Sequence, residues 1–328
     1  MGTKGTLLVG TVGQGVMRSD DGGGNWRRAG PGQGMHSDAI VRCLVADPRQ
    51  PEVLFAGTDL GLYRTDDAGA RWQRLDTPMN GQHVWAVAID PAAPSRLLAG
   101  TGTPTPPAVY QSADGGATWQ PRAAAFAASC EAVGIPRPTA IAIDPTDPRT
   151  VWMGVEVDGV RRSQDGGATW QPAAADIRNP DVHNVVVAGG PQKKVFILVN
   201  NDVWTSGDDG ASWSAVGIRD VFPLHYPRGI AVRPDDPRVV FVTVGDTTPG
   251  RTGAIMRTTD AGATWQSLPL PGQPNSAMWT LAISREDPDQ MFAASRYGYL
   301  YHSEDGGDSW ARYWRELSEV SAIAWVPN

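Results

Sequence analysis

The strongest constraint on this chain is an octet that recurs along its whole length. It reads SDDGGGNW at 19–26, TDDAGARW at 65–72, SADGGATW at 112–119 and SQDGGATW at 163–170. It returns as SGDDGASW at 206–213, TTDAGATW at 258–265 and SEDGGDSW at 303–310. The shared form is Ser/Thr-x-Asp-x-Gly-x-x-Trp, with successive copies 46, 47, 51, 43, 52 and 45 residues apart. The path from the last copy through both termini to the first is 44 residues, so the spacing is even around a circle. A period of this size marks repeated supersecondary units that bury their apolar faces only against one another.

Each unit reads as four short strands. In the third, HVWAVAID (83–90) is an apolar strand, PAAPS turns, RLLAGTG (96–102) is a second strand, and AVYQSADGGATWQP (108–121) is a hairpin around the octet. Related turns, DPRQPEV, DPTDPRTV and RPDDPRVV, stand at the matching place in other units, where proline suits a turn and not a strand interior. The 38 Gly, 27 Pro and 13 Trp fit many short strands and tight turns. The chain opens with a second-type strand, TLLVGT, and closes with a first-type strand, SAIAWVPN. The expectation is an all-β, seven-bladed β-propeller filling residues 1–328 as a single domain. The C-terminal strand completes the N-terminal blade.

These repeats closely resemble the Asp-box (BNR) repeat family, which includes bacterial sialidases, two-propeller xyloglucanases, sortilin-type receptors and photosystem II assembly factors. The resemblance covers essentially the whole chain. It implies that each Asp-box turns between the third and fourth strands of a blade, with Asp114 and its equivalents bonding local backbone N–H groups and Trp119 packing between blades. The chemistry agrees, since the one carboxylate common to every box supplies too few oxygens for Ca²⁺. Sialidases differ in having six blades, an arginine triad and an Arg-Ile-Pro motif. GIPRP at 134–138 has another order and place, so sialidase activity is not expected.

The net charge of −7 and the absence of a Lys/Arg run exclude binding to nucleic acid through phosphate neutralisation. No apolar run reaches the roughly 18 residues of a membrane helix, and no nucleotide-cofactor pattern stands out. The start, MGTKGTLLVGTVGQG, lacks a signal pattern. The expectation is therefore a bacterial, cytoplasmic monomer or small homo-oligomer, or a secreted protein if a leader is removed. Cys43 and Cys130 make no disulfide framework, and Cys43 lies in an apolar strand.

Strand order places the boxes and proline turns on one face. The entries to the first strands and the second-to-third turns then lie on the other, the usual binding face. Four of the five histidines, His36, His83, His183 and His225, precede or open first strands, and Arg137 stands where His83 does. Convergent imidazoles would hold a divalent transition metal (Zn, Mn, Fe or Ni). Glu156, Asp246, Arg137 and Arg228 are the candidate catalytic groups, and Trp85, Trp279, Asn200, Arg296 and Tyr297 the candidate substrate contacts. The two tryptophans serve equally well as core packing. The alanine-rich interruption at 121–138 is expected to form a short helix over this face, with Cys130 near its mouth.

The leading expectation is a metal-assisted hydrolase or lyase acting on a small polar, anionic or sugar-like substrate in the central funnel. One alternative is a non-catalytic propeller that binds protein or glycan or assists assembly. The other is a metal-free glycosidase with paired carboxylates, Glu156 with Asp246 or Asp158.

Overall fold

The computed structural model describes residues 5–131 and 133–327. Seven four-stranded antiparallel sheets make up the architecture, one for each box. Numbered by their boxes, blades 2 to 7 begin with inner strands Val41–Ala46, His83–Ile89, Arg137–Ile143, Val182–Ala188, Tyr226–Val232 and Met278–Ile283. Each runs on through three further strands in chain order. Blade 1 is built from both ends: Val320–Pro327 is its inner strand, and Gly5–Thr11, Val16–Ser19 and Arg27–Ala29 follow. The C-terminal strand thus closes the ring, with Leu7 opposite Trp325 and Val9 opposite Ile323. Among the described residues the only helical elements are a 3-10 turn at Pro31–Gln33 and a single helical turn at Ile218–Val221.

The box is a self-contained clasp. Ser112 Oγ donates to Asp114 Oδ1 at 2.8 Å and accepts the N–H of Gly116 at 2.9 Å. Thr118 donates its N–H to Oδ1 and its hydroxyl to Oδ2 of the same carboxylate. The second glycine of the box takes φ 88°, and a Cβ there would stand 2.9 Å from the Phe55 ring of the preceding blade. Glycine answers both demands at once.

Each box tryptophan packs across an interface between blades. Trp26 joins Phe292 and Leu300, Trp72 joins Leu8 and Val16, and Trp119 joins Phe55 and Leu62. Trp170, Trp213, Trp265 and Trp310 occupy the other four interfaces. The core is therefore seven apolar wedges, each of which would lose roughly 3–5 kcal/mol on truncating its tryptophan to alanine.

The alanine-rich interruption differs from expectation. Its described residues from Ala124 to Cys130 are irregular, with no helix. Tertiary bonds hold them along blade 4: Ala125 O accepts Arg161 Nε, Ala127 N donates to Asp158 Oδ2, and Phe126 packs on the blade 3–4 wedge. These contacts outweigh alanine's helix propensity. The charges facing Cys130 are Asp158 and Arg161, and burial followed by Asp158 raises its thiol pKa.

Candidate functional site

The upper end of the central channel is a funnel of about 730 Å³. Its wall is made by a device repeated in every blade. Each inner strand carries a β-bulge near its start, where the pairing with the second strand skips a residue. In blade order the skipped residues are Ser321, Arg42, Trp85, Thr139, His183, Arg228 (with Gly229) and Trp279. All seven line the funnel. A bulge re-aims the side chain that the ladder leaves out, and here seven of them form one ring.

Neighbouring bulges are coupled. Thr139 donates its hydroxyl to Val182 O at 2.8 Å, the carbonyl just before His183. Ser321 bonds Val41 O, just before Arg42. Arg42 lies 4.1 Å over the Trp85 ring, and Arg228 lies 4.3 Å over the Trp279 ring. Below the ring, apolar side chains including Leu44, Val87, Ile141, Val187, Leu281 and Ile323 border both this funnel and the opposite mouth.

One arc of the wall gathers proton-active groups. His183 is 3% exposed, and its Nδ1 lies 2.7 Å from Pro227 O. A carbonyl oxygen only accepts, so Nδ1 carries the proton and donates. Nε2 then faces Asp181, 3.6 Å from Oδ2, beyond a normal hydrogen bond. Glu156, 9% exposed, pairs with Arg137 across the top of blade 4 and shares the cluster, the ligand atoms of Glu156, Asp181 and His183 lying within 4.8 Å of one another. Burial raises the Asp181 carboxyl pKa, but His183, Arg228 and Asn200 outweigh it and hold it below its usual value. Among the described residues this is the one group of three or more His, Cys, Asp or Glu side chains close enough to share a cation.

The candidate residues distribute as follows. Trp85, Trp279, Arg137, Arg228, Arg296, Glu156 and His183 line the funnel. Asn200 stands behind it as a partner of Asp181. The four histidines do not assemble. His36 is exposed, its Nδ1 accepting the N–H of Asp38. His83 opens its strand two residues before the bulge position, which Trp85 holds, so the bulge does not re-aim it. It lies beside Arg42, whose Nη2 is 3.4 Å from its Nδ1, and burial followed by Arg42 lowers its pKa. His225 precedes the strand Tyr226–Val232 and is half-buried outside the funnel lining. Asp246 is exposed and caps its own turn, accepting the N–H of Arg251 at 2.9 Å, so it does not join Glu156. Asp158 is held by Arg161 at 2.7 Å. Tyr297 is 42% exposed on the rim, its N–H bound to Ser276 Oγ.

Arg42, Asp181, Tyr226, Thr139 and Ser321 complete the site and were not singled out by the sequence reading. Aligning the first strands on the glycines or alanines opposite the bulge would have placed Arg42, Trp85 and Trp279 in one column. Asp181 had no such signal.

A family model described as Sortilin-Vps10, sortilin, neurotensin receptor 3, matches residues 201–326. The xyloglucanase Xgh74A of Acetivibrio thermocellus is 25% identical over 83% of this chain and 38% of its own length. The chain spans about two fifths of the length of the curated relatives it matches. Among solved structures, an ancestral GH74 enzyme superposes with TM-score 0.61 at 20% identity, over 88% of this chain and 38% of that one. YCF48 bound to D1 peptide superposes with TM-score 0.57 at 16% identity, over 84% and 82% of the two chains. At these identities the superpositions speak for fold alone. They agree with the boxes and with the blade count, and together these features fit the Asp-box (BNR) repeat β-propellers.

Proposed function

We propose that this propeller is a hydrolase or lyase that takes a small, anionic, sugar-like substrate into the upper funnel and cleaves it beside His183. The observation that carries the reading is the meeting of His183, Asp181 and Glu156 on a wall ringed by Arg42, Arg137, Arg228 and Arg296. His183 Nε2 moves the proton, Asp181 steadies the charge that forms on the imidazole, and the arginines hold a substrate carboxylate and offset negative charge developing on oxygen. The similarity to xyloglucanases supports glycoside cleavage as the reaction class. The arginines favour an acidic sugar over a neutral one.

A second reading places a divalent metal on Glu156, Asp181 and His183. The bond from Nδ1 to Pro227 O favours it, because metal-bound histidines commonly anchor their other nitrogen in this way.

The test is incubation with matched neutral and uronate-containing oligosaccharides, with and without chelator. New reducing ends report cleavage of either kind, and ultraviolet absorbance of an unsaturated product reports elimination alone. Expected is cleavage of the acidic set, lost in His183→Ala and Asp181→Asn. Chelator-resistant activity removes the metal reading. Cleavage of neither set, or activity equal to the parent's in both variants, removes the proposal.

A further inference from the structure

The funnel contains the same construction twice. Trp85 and Trp279 occupy the bulge position of blades 3 and 7, three blades apart by the shorter way round a ring of seven, and so stand on opposing walls. Each indole is sandwiched between two guanidinium groups. Arg42 and Arg137 lie 4.1 and 4.7 Å from the centre of Trp85, and Arg228 and Arg296 lie 4.3 and 4.5 Å from that of Trp279. In both sandwiches one arginine is the bulge residue of the preceding blade.

The charge pattern also repeats. Within each sandwich one arginine has a carboxylate partner: Arg137 has Glu156, and Arg296 has Glu319 at 3.4 Å. The other, Arg42 or Arg228, has no carboxylate within 4.0 Å among the described residues. Burial and then the charge of Arg137 push the Arg42 guanidinium down to about 10. Its Nε is buried without a hydrogen-bond partner. A guanidinium lying on an indole face is held flat, leaving its N–H fork for a planar oxyanion in the same plane. Each sandwich is therefore a preformed anion clamp.

We propose that the funnel binds one dianionic ligand, with a carboxylate in each tryptophan-centred arginine pair and the connecting chain crossing the channel. This deepens the proposed function and rests on its reading of the funnel as an anion site: the substrate class becomes a molecule with two carboxylates. The His183 cluster in blade 5 lies on the arc of the funnel wall between the two clamps.

The experiment is titration of the intact protein with straight-chain dicarboxylates from malonate to azelate and with monocarboxylates of matched length, by calorimetry and tryptophan fluorescence. One dicarboxylate is expected to bind per chain, with an optimum length at which it exceeds its monocarboxylate match by at least about tenfold, because the second contact is intramolecular. Arg42→Gln and Arg228→Gln, each checked for unchanged melting, should each bring that ligand down to monocarboxylate affinity, and the double variant should abolish binding. Equal binding of the two series, no binding of either, or sensitivity to only one of the variants overturns the proposal. Binding is read without turnover. A chain that binds dicarboxylates but cleaves nothing therefore retains the clamps and loses the catalytic reading.

Discussion

His183 Nδ1 donates at 2.7 Å to the carbonyl oxygen of Pro227, the residue that immediately precedes Arg228 on the next blade. One hydrogen bond thus sets the tautomer of the buried imidazole and ties it to the bulge that supplies a funnel arginine.

His183→Ala leaves the buried Pro227 oxygen unpaired. The expected loss of stability is about 1–3 kcal/mol, read as a lower urea midpoint with an unchanged slope. A midpoint equal to the parent's would show that the bond contributes nothing.

Thr139 couples blades 4 and 5 in the same way, through Val182 O. Thr139→Val keeps the shape and removes the hydroxyl, so unfolding should become easier by about 1 kcal/mol. Faster amide exchange around His183 is expected to accompany it. Exchange unaffected at His183 would separate this bond from the site.

Glu156→Gln removes the partner of Arg137 without changing volume. If Glu156 takes part in proton transfer, turnover of the acidic substrate should fall about 10²–10⁴-fold while the blade fold, read by near-ultraviolet circular dichroism, persists. Parental turnover would remove Glu156 from the mechanism.

The boxes predict acid sensitivity. Hydrogen bonds hold Asp21, Asp114, Asp165, Asp208 and Asp260 down to about 2, below the usual carboxylate range. In each box the donors are the residue four places on and the box Ser or Thr. A carboxylate with a folded pKa below its unfolded one contributes stability above the unfolded value and loses it as pH falls through the folded value. Stability should therefore decline between about pH 4 and pH 2, and Asp114→Asn should flatten that decline in an acid titration followed by tryptophan fluorescence.

Three boxes share a flaw, correctable where the residue is alanine. Ala68, Asp209 and Ala261 take φ 51°, 55° and 57° where the other four boxes have glycine at 67–76°. In all three, the indole N–H of Trp72, Trp213 or Trp265 lacks the bond that Trp119 makes to Gly116 O at 3.0 Å. Ala68→Gly and Ala261→Gly should each raise stability by about 0.5–1 kcal/mol, the relief of left-handed strain exceeding glycine's added chain entropy. A lower melting temperature in both would reverse that balance.

The blade count, the closing strand and the position of every box were legible in the sequence because they are local. Ser/Thr, Asp, Gly and Trp satisfy one another within eight residues, and alternating strands and proline turns repeat at a readable period. The chemistry of the funnel was only partly legible. Distance from the boxes put His36, His83, His183 and His225 in one class, yet a bulge shifts the pairing by a single residue and turns only the skipped side chain, His183 and not His83, to the funnel wall. Asp181 reaches Nε2 from the loop before its strand, and Arg42 finds Trp85 from another blade. Arg42 and Trp85 stand on neighbouring blades, and only the packing of blade on blade brings them into contact; Asp181 and His183 are near neighbours in the chain, but whether they face each other depends on where the bulge falls.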